Sequence, residues 1–149
     1  AVPYGTWEVV RQGKGIAVLA VGTMVLPAVE AAEALTAEGI QATVVNCRYL
    51  KPYDRALFEE IARTHSVILT VEEGTIVNGF GAFMARELDA FIGRGDVQMD
   101  AMGIPDRFIE HGSRRELLRE MDLDAQGIAA RLRRLAQVHG HAGAARESA

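Results

Sequence analysis

Two adjacent carboxylates, Glu72 and Glu73, follow an apolar run, Val67-Ile68-Leu69, and precede a glycine-rich turn from Gly74 to Gly81. Paired carboxylates act as acid and base when their surroundings separate their pKa values. Consecutive residues of an extended segment point to opposite sides, however. Glu72 and Glu73 are therefore expected to diverge, one toward a pocket or partner and the other toward solvent or a backbone amide. A direct catalytic role for Glu73 is the lesser alternative.

The other chemistry-bearing residues give weaker patterns. Gly79-Phe80-Gly81 opens like a dinucleotide fingerprint, but Met84 occupies the place of the third glycine, and the region where an acidic residue is required is Gly95-Asp96, in an expected turn. Close packing of a helix on the sheet is the better reading of these glycines. A helix N-terminus at this point still attracts an anion, such as a partner's carboxylate. Gly13-Lys14-Gly15 lacks the upstream glycine and following hydroxyl of a phosphate loop. His65, His111, His139 and His141 are scattered, and neither Cys-x-x-Cys nor His-Glu-x-x-His occurs, so nothing points to a metal. His111, between Glu110 and Gly112 at a loop-to-helix junction, has neighbours that can tune its charge near neutral pH. Cys47, beside Arg48, ends a predicted strand and reads as a buried thiol before a reactive one. No nucleophile elbow or Ser-His-Asp spacing is present.

The elements that must position these residues alternate between strand and helix. Strands are predicted at 7–11, 16–21, 42–46, 66–71 and 97–102. Ile16 to Val21 is continuously apolar, as a strand covered on both faces requires. Helices are predicted over 24–38, with Pro27 in the first turn, over 55–64 behind an Asp54 cap, and over 79–91. A turn is expected at 93–96 and a loop at 103–112. Ser113 with Glu116 is a capping-box signature for a helix over 114–121, and Asp124 caps a last helix over 125–137, with Ile128, Leu132 and Leu135 inward and three arginines outward. This order predicts an α/β fold of three layers, a mainly parallel sheet of about five strands with helices on both faces. Residues 1–12 read as a linker with a possible edge strand, 13–137 as the domain and 138–149 as a flexible tail.

Composition narrows the classes. Half of the 149 residues are apolar (49%), enough for a core, and a net charge of −4 gives no sign of a nucleic-acid partner. No apolar run is long enough to span a bilayer. One cysteine excludes an internal disulfide framework and suits the cytosol. The first residue is not Met and the opening reads as a connector, so a piece of a longer polypeptide is expected.

Taken together, several segments resemble the C-terminal domain of transketolase-like thiamine diphosphate enzymes. These are Ile16 to Thr23 leading into a helix, Asn46-Cys47-Arg48-Tyr49-Leu50-Lys51-Pro52-Tyr53-Asp54, and Thr70-Val71-Glu72-Glu73-Gly74 with Asn78-Gly79-Phe80-Gly81, where Asn78 stands in place of a commoner glycine. Gly103 to Gly112 (GIPDRFIEHG) and Asp122 to Ile128 are similar to the 1-deoxy-D-xylulose 5-phosphate synthases within that family. The resemblance implies a homodimeric enzyme that condenses pyruvate and glyceraldehyde 3-phosphate with decarboxylation, feeding isoprenoid, thiamine and pyridoxal synthesis. Its thiamine diphosphate and magnesium lie between two other domains. The Gly-Asp-Gly diphosphate motif has no counterpart here, because Gly95-Asp96 continues with Val97. The expected chain is thus a dimer-supporting domain, inactive alone, with no catalytic, cofactor or metal residues of its own. Its partners are the other two domains and a second subunit. Arg48, Glu72, Glu73, Asn78, Gly79, Gly81 and His111 are the candidates for a domain interface or the substrate side. The competing readings are the equivalent domain of a transketolase or of a 2-oxo acid dehydrogenase beta subunit, and a freestanding α/β binding module.

Overall fold

The computed structural model describes residues 1–91 and 97–147, with side chains of the last helix described as far as His139. Five strands form one sheet: β1 (Glu8–Arg11), β2 (Gly15–Ala20), β3 (Thr43–Asn46), β4 (His65–Thr75) and β5 (Gln98–Ile104), in the order β1-β3-β2-β4-β5. The β3-β2, β2-β4 and β4-β5 pairs are parallel, and only β1 runs antiparallel, at the edge against β3. The expected α/β architecture is present.

The helices are α1 (Val25–Thr36), α2 (Arg55–Thr64), α3 (Phe80–Phe91), α4 (Arg114–Glu120) and α5 (Ala125–Glu147). Side chains on one face of the sheet, including Val18, Val44 and Leu69, pack with Leu35 of α1 and Ile128 and Leu132 of α5. Side chains on the other face, including Leu19, Val45 and Ile68, pack with Phe58 of α2 and Met84 of α3. Alternate residues of each strand thus serve different layers, which is why β2 and β4 read as continuous apolar runs. Burial of both faces is the main stabilising contribution.

Local signals set the helix boundaries. Asp54 caps α2 by accepting from Leu57 N at 3.0 Å, and its other oxygen accepts from Trp7 N at 2.9 Å, tying the N-terminal segment to that helix. Ser113 and Glu116 form the reciprocal capping box of α4. Asp124 accepts from Gly127 N at 2.8 Å at the start of α5. The arginines of α5 are not all free on the outside: Arg131 pairs with Asp100 of β5 at 2.7 Å, and Arg133 makes two bonds to Glu38 beyond α1.

Several boundaries differ from expectation. β4 does not stop at Val71; it runs to Thr75, because the ladder resumes after an irregularity when Thr75 pairs with Ile104. Glu72, Glu73 and Gly74 are therefore strand residues, and the glycine turn begins only after Thr75. Gly103 and Ile104, read as loop, belong to β5 for the same reason. α1 starts one residue later than expected, after a single 3-10 turn at Gly22–Met24. α5 continues past Gln137 to Glu147, through a stretch read as a tail, whose Ala, Arg and Glu residues are good helix formers. The turn expected at 93–96 lies outside the described residues.

Cys47 is 1% exposed in the core against Trp7 and Phe58. Burial, with a smaller contribution from the Asp54 charge, pushes its thiol well above the ordinary value, so it carries little thiolate at neutral pH. Native protein at pH 7.5 should therefore leave Cys47 unlabelled by a thiol reagent, with full labelling only in denaturant; rapid stoichiometric labelling of the folded chain would contradict this packing.

Candidate functional site

In an open parallel sheet, ligands and partners are met at the carboxyl ends of the strands, where the order reverses. Here β2 lies between β3 and β4, with the chain passing first to one side and then to the other. The reversal point is therefore the β2/β4 boundary. A crevice of about 300 Å³ opens there, lined by Val21, Gly22, Thr23, Leu50, Glu72, Glu73 and Gly74. Both carboxylates singled out from the sequence are at this place.

They do different things. Glu72 is 8% exposed, on the α3 side of β4. Its Oε1 accepts from Phe80 N at 3.0 Å and its Oε2 from Gly81 N at 2.8 Å. These are the first amides of α3, which have no partner inside the helix. A carboxylate there also meets the positive end of the helix dipole. The anion that this helix end was expected to attract is supplied from within the chain.

The glycines make that contact possible. A Cβ on Gly81 would lie 2.5 Å from Thr70 Oγ1 and 2.8 Å from Ala101 Cβ, so α3 sits directly on β4 and β5. A Cβ on Gly79 would collide with Thr75 O and with the Glu72 carboxylate. Asn78, the departure from the commoner glycine, has φ +57°, a left-handed conformation that Asn and Gly both adopt. Thr70 Oγ1, buried under Gly81, makes no hydrogen bond.

Glu73 leaves the opposite side of the strand. Arg114 grips it with two bonds, Nε to Oε1 at 2.9 Å and Nη2 to Oε2 at 2.5 Å, and Thr23 Oγ1 donates to Oε2 at 2.6 Å. The Arg114 bonds, then the Thr23 bond, hold its carboxyl below the usual range. Glu73 thereby fastens α4 and the 3-10 turn after β2 to the end of β4. Neither Thr23 nor Arg114 was legible as its partner, because 50 and 41 residues separate them from it.

Arg48 is turned toward the N-terminal segment, donating to Thr6 O at 3.3 Å, Thr6 Oγ1 at 3.2 Å and Trp7 O at 3.0 Å, with an ion pair to Glu8 at 3.3 Å. His111 is exposed in the loop before α4, and no described contact joins it to either carboxylate. The sequence reading missed Tyr53, whose hydroxyl donates to Glu87 and whose ring meets Trp7, Phe58 and Phe83. Burial and then the Glu87 bond push the Tyr53 phenol up to about 12.

Thiamine diphosphate and magnesium do not fit these residues. Among the described residues no group of three or more His, Cys, Asp or Glu side chains could hold a metal ion. The helix end best suited to a phosphate is filled by Glu72. Among the described residues no helix is long and apolar enough to cross a membrane.

Residues 5–128 match the family model described as "Transketolase, C-terminal domain". The chain belongs to the transketolase C-terminal domain family. It is 47% identical over 135 residues, 90% of its length, to 1-deoxy-D-xylulose-5-phosphate synthase 2 of Geobacter sulfurreducens. It is 44% identical over 132 residues to the synthase of Geobacillus thermodenitrificans. In each case it spans 21% of the relative's length. Among solved structures, a chain titled "Split gene transketolase, inactive beta4 tetramer" superposes with a TM-score of 0.80 at 33% identity, covering 89% of this chain and 43% of that one. A Pichia stipitis transketolase shares the fold of this domain, with a TM-score of 0.68 at 20% identity.

The two glutamates of this transketolase C-terminal domain should separate in a stability experiment. Glu72→Ala strips two buried amides of their acceptor and should cost about 2 kcal/mol in urea unfolding. Glu73→Gln should cost less at pH 7, since its side chain is 30% exposed and water screens the pair. Because the folded carboxyl lies below its ordinary value of 4.5, the Glu73 contribution is present above that pH and is lost as pH falls through the folded value. The gap between wild type and Glu73→Gln should therefore narrow as the pH is lowered from 7 to below the ordinary carboxylate range; a gap that stays the same across that descent would refute the ion-pair account.

Proposed function

We propose that this chain is the C-terminal domain of a 1-deoxy-D-xylulose 5-phosphate synthase, and that it holds the rest of that enzyme together without taking part in the chemistry. The observation that carries the proposal is its identity of 40–47% with such synthases over 87–95% of its length, against 33% with the split-gene transketolase. The intact enzyme, on this reading, condenses pyruvate and glyceraldehyde 3-phosphate to 1-deoxy-D-xylulose 5-phosphate with loss of carbon dioxide. Thiamine diphosphate, bound with magnesium by the other two domains, supplies the carbanion chemistry. Two subunits pair in the cytoplasm.

The role of this chain's residues follows from what they already hold. Glu72 is committed to the start of α3, Glu73 to Arg114 and Thr23, and Arg48 to the entering segment. Each of these side chains already has partners within the chain. The carboxyl edge instead offers Leu50, Ile76, Val77 and Phe108 to the outside, 45%, 38%, 48% and 84% exposed. Apolar side chains grouped on one edge suit a contact with another domain.

Supplied with pyruvate, glyceraldehyde 3-phosphate, thiamine diphosphate and magnesium, the purified 149-residue chain should release no carbon dioxide, while the complete polypeptide should form product. Turnover by the short chain overturns the structural role. A complete polypeptide that uses a ketose phosphate donor in place of pyruvate makes the chain a transketolase domain instead.

A further inference from the structure

At the amino end of the sheet, opposite the glutamate edge, His65 joins three elements through its two ring nitrogens. It opens β4, and its partners lie in α2 and β3. Nδ1 is 3.2 Å from Ile61 O and 2.9 Å from Thr64 Oγ1, and Nε2 is 2.8 Å from Thr43 Oγ1. β3 and β4 are not neighbours, because β2 runs between them and places Gly15 opposite His65. The imidazole reaches past Gly15, which carries no side chain, to the strand beyond. Ser66 fastens the same junction by donating from Oγ to Gly15 O at 3.2 Å.

Hydrogen-bond chemistry determines where the protons lie. A carbonyl only accepts, so Nδ1 carries a proton toward Ile61 O. Thr64 Oγ1 donates its own proton to Glu60 O at 2.8 Å, so it too accepts from Nδ1. Nε2 of the neutral ring is then bare, and the Thr43 hydroxyl donates to it. A second ring proton would aim Nε2–H at that hydroxyl. Thr43 is 1% exposed, and among the described residues its hydroxyl proton has no other acceptor. Protonation of His65 therefore leaves a buried donor unsatisfied. Neighbouring charges do not offset this. Arg11 of β1 is turned to Ala42 O and Thr36 Oγ1, and Arg63 of α2 pairs with Glu59. Lys14, before β2, and Glu60 of α2 are exposed, and β3 carries no ionisable residue.

We infer that His65 is a proton-sensitive bolt, closed as the neutral imidazole, that ties the end of α2 to β3 across the amino end of the sheet. At mildly acidic pH the bolt opens and loosens that end, while the glutamate edge stays intact. Burial lowers the proton affinity of the ring, the Ile61 bond raises it by less, and no charged group is among the causes. The folded ring thus binds its proton more weakly than at the ordinary value of 6.5. The contribution of the bolt is complete above that pH and shrinks as pH falls below it.

Hydrogen exchange of the 149-residue chain at about pH 7.5 and about pH 5.5, corrected for the intrinsic effect of pH on exchange, tests this. Amides of residues 15–17, 43–44 and 65–67 should lose about tenfold in protection at the lower pH, and those of Phe80 and Gly81 should not change. His65→Gln keeps an acceptor for the Thr43 hydroxyl and takes up no proton in this range, so its protection should be the same at both pH values. No loss in wild type, the same loss in His65→Gln, or an equal loss at both ends of the sheet would overturn the inference. Thr43→Val gives a second measurement, independent of whether His65→Gln folds. It removes the donor that favours the neutral ring, so the His65 titration midpoint read by NMR should rise. A midpoint that falls or stays in place would mean that Thr43 does not hold the ring neutral, and would equally overturn it.

Discussion

A carboxylate at the end of β4 neutralises the start of the helix that follows it, and most of the carboxyl edge is arranged around that contact. For Glu72 to reach the amides of Phe80 and Gly81, the strand must carry it beyond the core, the turn must fold back, and α3 must lie flat on β4 and β5. Each requirement selects residue types: a left-handed Asn78, and glycines at 79 and 81 where any side chain would collide. The alternation of the strand then sends Glu73 to the other side, where Arg114 and Thr23 take it.

That constraint also separates two surfaces that the sequence presents as one. The reversal point between β2 and β4 is the usual ligand position, yet its charges are matched internally and its crevice is small. Beside it, the loop carrying Leu50 to Tyr53 and the turn carrying Ile76 and Val77 enclose an apolar cleft. Tyr53 joins that loop to α3, its ring meeting Trp7, Phe58 and Phe83 and its hydroxyl donating to Glu87.

Much of the fold was legible because its signals are local. Apolar runs gave β2 and β4, Asp54 and the Ser113–Glu116 box gave helix starts, and strand geometry alone required the two glutamates to diverge. What was missed is non-local. The extension of β4 to Thr75 depends on pairing with Ile104, and the partners of Glu73 come from distant elements. The partners of Arg48, namely Thr6, Trp7 and Glu8, are likewise brought near it only in the folded chain. The cleft was invisible because Leu50, Pro52, Tyr53, Phe80 and Phe83 line a common surface only when the elements after β3 and β4 are brought together in the folded chain.

The central claim, that the glutamate pair serves the fold and not the reaction, is tested most directly by Glu72→Gln in the complete enzyme. The account predicts kcat within about threefold of wild type, together with amides of Phe80 and Gly81 that exchange about tenfold faster. A fall in kcat of about a thousandfold with those amides still protected would contradict it and return Glu72 to the chemistry.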